Sequence, residues 1–364
     1  MFKKTVSHKK KVLLLLPSLK AGGAERVLSF LAKNLDSELF NVRLLVIGSK
    51  EESVYDYSGV EVKFLNKKRL FTSVFPLMQT IVAFRPQIVL SSIVHLNIFS
   101  GIMAFFFRKI KFIAREASVL SIMGAFDKKN NILNFLSKQV YGNFSCIICQ
   151  SKDMLIDLNE NYKISKKKLI IINNPITEPT MVKESINGFP ELIRFVTVGR
   201  LSEEKGHERV LRCLAGSSIE DYHYTIIGEG ILKNHLLEVI KELKIENKIS
   251  FIPFTFNVLD ELRSNHIFLQ GSYVEGFPNA VLESCLVGTP IIAFDSPGGT
   301  KEIIDENVNG ILVKNENDFK DTLNTGVVNL LKLEPLLISN SVKVKFSSKK
   351  IIEQYQELFT KILE

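Results

Sequence analysis

Short apolar runs alternate with amphipathic segments along nearly the whole chain, separated by loops rich in Gly, Pro or Asn. This alternation limits the fold more than any single residue does. Strands buried on both faces read as unbroken apolar runs, and parallel neighbours need a crossover segment between them. The strand-like runs are 12–16, 42–48, 60–65, 87–91, 112–114, 144–149 and 169–172. Periodicity predicts helices between them over 24–35, 76–84, 98–107, 129–141 and 151–160. The pattern then lapses over 176–190, where Thr, Glu, Pro, Ser, Asn and Gly predominate. It resumes with strands at 193–198, 222–227, 249–252, 266–269, 291–294 and 310–313. The second series of helices is expected at 207–215, 231–243, 258–263, 280–287, 300–306, 316–333 and 347–363. The fold class is therefore α/β with two doubly wound parallel domains. Their expected limits are 1–175 and 191–345, with a linker at 176–190. The closing segment 346–364 is amphipathic and is expected to pack back on the first domain.

A chain of 364 residues with 46% hydrophobic content can bury two such cores. Charge is divided unevenly: residues 1–190 hold 28 of the 47 Lys+Arg but only 14 of the 39 Asp+Glu. A basic first half suits an anionic partner, whether nucleic acid, a phosphorylated substrate or an anionic membrane surface. Residues 99–115 interleave aromatics with basic residues, and 99–113 puts an apolar face beside Arg108, Lys109 and Lys111. That favours a membrane interface or an apolar ligand. No RRM-, KH- or zinc-finger-like pattern is present, so no nucleic-acid partner is expected.

Cys146 and Cys149 have CxxC spacing but stand in an apolar run with no second pair nearby, which favours core packing. With Cys213 and Cys285 they form no disulfide framework, so a reducing, cytoplasmic compartment is expected. Lys3, Lys4 and Lys9 to Lys11 precede an apolar run too short for a signal sequence and closed by Pro17. The most apolar segment, 98–107, is about half a membrane span. The expectation is a soluble or peripheral protein.

The chemistry-bearing stretch is 272–283, with Glu275 in a loop and Glu283 on the following helix. Gly276 permits a sharp turn, and Pro278 suits a first helical turn. With Phe277 and Asn279, this strand–loop–helix unit offers backbone N–H groups and a positive dipole end to a ligand. Glu275 and Glu283 are placed poorly for a glycosidase pair, whose carboxyls face each other across a sugar. They better suit hydrogen bonding to sugar hydroxyls: Glu283 to a ribose diol, Glu275 to a sugar. Arg200 and Lys205 follow a strand between Gly199 and Gly206, and both could reach one diphosphate. The GxG at Gly228 lacks the third glycine of a dinucleotide loop. Gly22 and Gly23 open the first domain's first helix, where a backbone can approach a phosphate or sugar.

Together, the Gly22–Gly23–Ala24–Glu25 loop, the 198–206 loop and the Glu275-x7-Glu283 signature with Phe277, Pro278 and Asn279 resemble glycosyltransferase family 4. The Asn174–Pro175 pair and the closing helix are also similar to members of that family. The resemblance implies a GT-B fold, two Rossmann-like domains facing a central cleft, the second holding a nucleotide sugar and the first an acceptor. It implies that Arg200 and Lys205 contact the leaving diphosphate, that Glu283 holds the ribose, and that Glu275 with the amides of Phe277 to Asn279 holds the donor sugar. Gly22 and Gly23 would close over the phosphates. His95 is the first-domain candidate for the catalytic histidine many members carry, and Arg115–Glu116 resembles a position near the acceptor.

The implied reaction is transfer with retention from a nucleotide sugar, uridine being the commonest base in similar enzymes, with neither cofactor nor metal. The implied acceptor is a glycan or lipid-linked sugar at the inner face of the membrane, in capsule, O-antigen or exopolysaccharide assembly. A nucleotide-sugar epimerase of the same fold, and a non-catalytic nucleotide-sugar-binding subunit, are the alternatives.

Overall fold

The computed structural model describes residues 9–126, 128–177, 180–185 and 188–364. Lys3 and Lys4, and positions 178, 179, 186 and 187 of the expected linker, lie outside the described residues. The chain divides into two compact units, Met1–Thr177 with Ser348–Glu364, and Glu178–Ser347.

The first unit is a seven-stranded, all-parallel sheet. Its elements run β1 (Lys10–Leu16), α1 (Gly23–Asn34), β2 (Phe40–Val46), β3 (Glu61–Phe64), α2 (Val74–Phe84), β4 (Ile88–Ser92), α3 (Val94–Phe106) and β5 (Lys111–Arg115). Then come α4 (Leu120–Met123), α5 (Lys128–Val140), β6 (Cys146–Cys149), α6 (Lys152–Glu160) and β7 (Leu169–Ile171). The strand order is β3-β2-β1-β4-β5-β6-β7. Val12, Leu14 and Leu16 of β1 are fully buried beneath α1, as the apolar run requires.

The second unit is a six-stranded parallel sheet of order β10-β9-β8-β11-β12-β13. It comprises β8 (Ile193–Val198), α7 (His207–Ala215), β9 (Tyr222–Ile227), α8 (Lys233–Glu242), β10 (Ile249–Ile252), α9 (Val258–Ser264), β11 (Ile267–Gln270) and α10 (Asn279–Leu286). It continues with β12 (Ile291–Phe294), α11 (Thr300–Ile303), β13 (Gly310–Val313), α12 (Glu316–Asp321), α13 (Val327–Leu331) and α14 (Pro335–Phe346). The last helix, α15 (Ser348–Leu363), belongs to the first unit. Ile351, Tyr355 and Phe359 enter that unit's core beside α1, and Lys10 Nζ donates to Thr360 Oγ1 at 3.1 Å.

Three departures from the sequence reading have local causes. The single helix expected over 316–333 is broken by a wide π turn at Thr322–Gly326. α14 was not expected at all: Val342-Lys-Val-Lys-Phe346 alternates with the period of a strand. It is helical because Ile338, Ser339 and Val342 pack on α10, with Ser339 Oγ donating to Leu286 O at 2.6 Å. Part of the expected linker is tied to the second unit, since Lys183 N donates to Val287 O at 2.9 Å and Lys183 Nζ to Asn265 O at 3.0 Å.

Candidate active site

In an open parallel sheet, ligands bind beyond the carboxyl ends of the strands where the strand order reverses. In the second unit the reversal falls between β8 and β11. The loop after β8 carries Gly199, Arg200 and Lys205; the loop after β11 carries Ser272 and Glu275. Across this point Lys205 Nζ lies 2.7 Å from Glu275 Oε1, which also accepts from Ser272 Oγ at 2.6 Å. The Lys205 side chain is 22% exposed and that of Glu275 9%. An ammonium has three donors, so the bond to Glu275 leaves Lys205 able to serve an anion as well.

Arg200 is held differently. Its side chain is 74% exposed, and Nη2 is 3.0 Å from Glu204 Oε1, which also accepts from Ser202 Oγ at 2.7 Å. Glu204 is only 12% exposed, but with the guanidinium itself in solvent the pair is weak and Arg200 can turn to a more highly charged anion.

Backbone crossings bind these loops together. Gly206 has φ 59°, and a Cβ there would stand 2.0 Å from Gly271 O. Gly298 has φ 126°, and its Cβ would meet Glu275 O at 1.9 Å. Gly228 likewise abuts Gly199. Glu275 N donates to Pro297 O, and Gly299 N to Gly276 O, both at 2.9 Å, so the loops after β11 and β12 act as one. Phe277 is buried edge-on to Phe346 at 5.2 Å. Pro278 stands just outside α10 as its cap rather than in the first turn, because its ψ of 95° is extended. α10 therefore opens at Asn279, and Glu283 lies half-buried on it.

In the first unit the order reverses between β1 and β4. The loop after β1 brings Gly22 and Gly23 to the start of α1, where Gly22 N donates to Tyr55 Oη at 2.9 Å. β4 stops at Ser92, one residue past the strand expected over 87–91, and α3 starts ahead of the helix expected over 98–107, so that His95 lies in its first turn. The chain turns at Ile93, a β-branched residue at φ 77°. Such a conformation is strained and persists only where its surroundings enforce it. Here Asn97 N donates to Ile93 O at 3.0 Å, while Asn97 Oδ1 accepts from Ser91 Oγ at 2.8 Å. Burial holds the His95 imidazole below its ordinary pKa.

Arg115 and Glu116 are each 1% exposed and engaged internally. Arg115 Nε donates to Tyr355 Oη at 3.2 Å, Nη1 to Ser92 Oγ at 3.3 Å, and Nη2 to Asn174 Oδ1. Glu116 accepts from Tyr141 Oη at 2.7 Å and Ala117 N at 3.0 Å, and burial raises its pKa. Cys146 and Cys149 are packed in β6, and burial pushes the Cys146 thiol up to about 11. Among the described residues no group of His, Cys, Asp and Glu is arranged to hold a metal.

The family model "Glycosyltransferase Family 4" matches residues 21–178, and "Glycosyl transferases group 1" matches 182–338. Between them they cover every strand of the two sheets except β1, and the loops just described. The chain is a family 4-type glycosyltransferase of the GT-B fold. It is 29% identical over 327 residues to the N-acetylgalactosamine-N,N'-diacetylbacillosaminyl-diphospho-undecaprenol 4-alpha-N-acetylgalactosaminyltransferase of Campylobacter jejuni, covering 85% of this chain and 87% of the relative. Among solved structures, the lipopolysaccharide outer core galactosyltransferase WaaB superposes with a TM-score of 0.77 at 18% identity, covering 97% of this chain and 99% of WaaB. Anabaena HepE in complex with UDP-glucose gives the same TM-score and identity over 96% and 99%.

Two residues of this glycosyltransferase's loop region escaped the sequence reading. His207 Nε2 donates to Arg200 O at 2.9 Å, and burial lowers the imidazole's pKa from 6.5 to about 4. The ring is therefore neutral, with its proton on Nε2, and it fixes the backbone beneath Arg200. The Arg209 guanidinium is sandwiched between Tyr273 and Phe294, 3.9 and 3.5 Å from the ring centroids, with Nε donating to Gly271 O at 2.5 Å. It props up the loop that carries Glu275. The available signal was helical spacing: both lie in the first turn of α7, directly after Lys205–Gly206.

Proposed function

We propose that this glycosyltransferase moves a sugar, with retention of configuration, from a nucleoside-diphosphate donor to a glycan acceptor carried on a lipid. The observation that carries the reading is the Lys205–Glu275 contact across the strand-order reversal, with Arg200 exposed beside it. That arrangement sets two cations for a diphosphate next to a carboxylate for sugar hydroxyls.

In the reaction, the bond between the sugar's anomeric carbon and the diphosphate oxygen breaks as the acceptor oxygen bonds on the same face. The acceptor's proton passes to the departing diphosphate. Negative charge grows on that diphosphate, and Arg200 and Lys205 stabilise it. Their fixed charges are worth most where they meet charge that develops in the transition state. The reading assigns this work to side chains and calls for no metal. Glu283, on α10, takes the ribose diol. Glu275 and the backbone amides of Phe277 to Asn279 hold the donor sugar. Gly22 and Gly23 admit the phosphates closely, and His95 takes part in the transfer.

A uridine donor is supported by the HepE complex, and a lipid-diphosphate acceptor by the Campylobacter relative's name. WaaB is named for the lipopolysaccharide outer core, and the Campylobacter relative extends an undecaprenol-linked sugar, which supports a role in bacterial glycan assembly here. The test is proton NMR of the product formed from a panel of UDP-sugars and a polyprenyl-diphosphate-linked sugar. An equatorial anomeric proton, with the small coupling to its neighbour preserved from an α-linked donor, supports the reading; an inverted product overturns it.

A further inference from the structure

β11 is apolar until its last residue. Ile267 and Leu269 enter the core of the second unit, and Phe268 and Gln270 alternate to the opposite face of the sheet. Gln270 is only 4% exposed, although glutamine is mostly a surface residue. It ends the strand at the order reversal, five residues before Glu275.

Every hydrogen bond that the Glu275 carboxylate accepts among the described residues falls on Oε1. Lys205 Nζ stands at 2.7 Å, Ser272 Oγ at 2.6 Å and Gln270 Nε2 at 3.5 Å. A carboxylate oxygen offers about two lone-pair sites, and the two short contacts fill them. The amide is therefore held off at the limit of hydrogen bonding. Turning it over would set its oxygen against the carboxylate, so Nε2 faces Glu275. Oε1 of Gln270 is then stranded, buried and without a partner among the described residues. A buried polar atom left unpaired destabilises a fold by more than a typical hydrogen bond stabilises it. An apolar side chain would fill the place better, so the amide has a use here only if its N–H is needed.

We propose that Gln270 is a positioning residue for the transfer. When the diphosphate draws the Lys205 ammonium away, a lone-pair site on Glu275 Oε1 opens and the Gln270 amide closes onto it. Glu275 thus keeps two close donors on Oε1, and Oε2 stays directed at the donor sugar. The exchange suits both partners. Lys205 is a point charge on a flexible stem, 22% exposed and able to follow an anion. Gln270 is an uncharged donor, so it holds the carboxylate without drawing on the cation that serves the leaving group. The proposal rests on the reading of Lys205 as a diphosphate contact, and adds to it what holds Glu275 meanwhile.

Gln270→Met keeps the length of the side chain and removes both polar atoms. With Lys205 in place it should raise the melting temperature, since the stranded oxygen goes and no short hydrogen bond is lost. In Lys205→Ala the amide is already closed on Glu275, so adding Gln270→Met should lower the melting temperature instead. This reversal of sign needs no substrate; a merely structural glutamine would lower stability in both backgrounds. In turnover, Gln270→Met alone should lower kcat/KM for the UDP-sugar used by the enzyme about tenfold, the effect of losing one hydrogen bond. Affinity for UDP alone, measured by calorimetry, should be unchanged, because Glu275 faces the sugar. A lowered melting temperature in Gln270→Met, the same sign in both backgrounds, weakened UDP binding or full kcat/KM would overturn the proposal and leave the diphosphate reading intact. Unchanged turnover in Lys205→Ala would remove that reading, and the proposal with it.

Discussion

Lys205 Nζ lies 2.7 Å from Glu275 Oε1 and ties the loop after β8 to the loop after β11. The contact gives Lys205 two separable tasks, stabilising the fold and stabilising the leaving group. Lys205→Ala removes both. Turnover should fall about 100-fold or more, the effect of losing one transition-state charge contact. The melting temperature should also fall, because a mostly buried carboxylate loses its ammonium partner. Lys205→Ala/Glu275→Gln should recover much of the melting temperature and none of the turnover. Steady-state kinetics beside thermal melting separate the two; unchanged turnover in Lys205→Ala would remove it from the reaction.

Arg200→Ala should behave differently. Its side chain is largely exposed and bonded only to Glu204 among the described residues, so stability should change by no more than about 0.5 kcal/mol. Turnover should still fall about 100-fold. A loss of stability equal to that of Lys205→Ala would show that the two cations are not divided as described.

Gly298→Ala tests whether the loops after β11 and β12 form one unit. The new Cβ would lie 1.9 Å from Glu275 O, at a φ of 126°. Gly59 is also at positive φ, 79°, but with nothing within 4 Å. Gly59→Ala should cost about 1–2 kcal/mol from backbone strain alone. Gly298→Ala should cost clearly more and should weaken donor binding. Equal costs in chemical denaturation would contradict the packed-loop account.

His207 and His266 are buried in the second unit and both have pKa values lowered to about 4 by burial, against an ordinary 6.5. Between those values the unfolded chain binds more protons than the folded one. Stability contributed by the neutral rings is therefore full above pH 6.5 and declines as pH falls toward 4. Melting measured across that window should show this slope. His207→Gln should make it shallower, and an identical slope in the variant would refute the assignment.

Much of this architecture was legible in the sequence. Ile291–Phe294 is a continuous apolar run, Ile193–Val198 and Tyr222–Ile227 are rich in β-branched and aromatic residues, and the limits of all three agree with the structure. The loops that carry Arg200, Lys205 and Glu275 follow from those strands, since a parallel sheet sets its functional loops at the carboxyl ends. What remained hidden depends on partners distant in the chain. α14 is helical through its packing on α10, against its own strand-like alternation. Arg115 and Glu116 are buried because Asn174, Tyr141 and Tyr355, distant in the chain, are brought to them. His95 falls inside α3, ahead of the helix expected over 98–107, because the chain turns at Ile93 in a conformation that no β-branched residue favours.

The most direct test of the donor site is thermal melting of the purified protein with UDP, GDP, ADP and CMP, beside Arg200→Ala/Lys205→Ala. A ligand at 100 times its Kd adds about 2.7 kcal/mol to stability. The account predicts a clear upward shift with one nucleoside diphosphate, UDP foremost, that is lost in the double variant. A shift of equal size in the double variant, or none with any nucleotide, would contradict it.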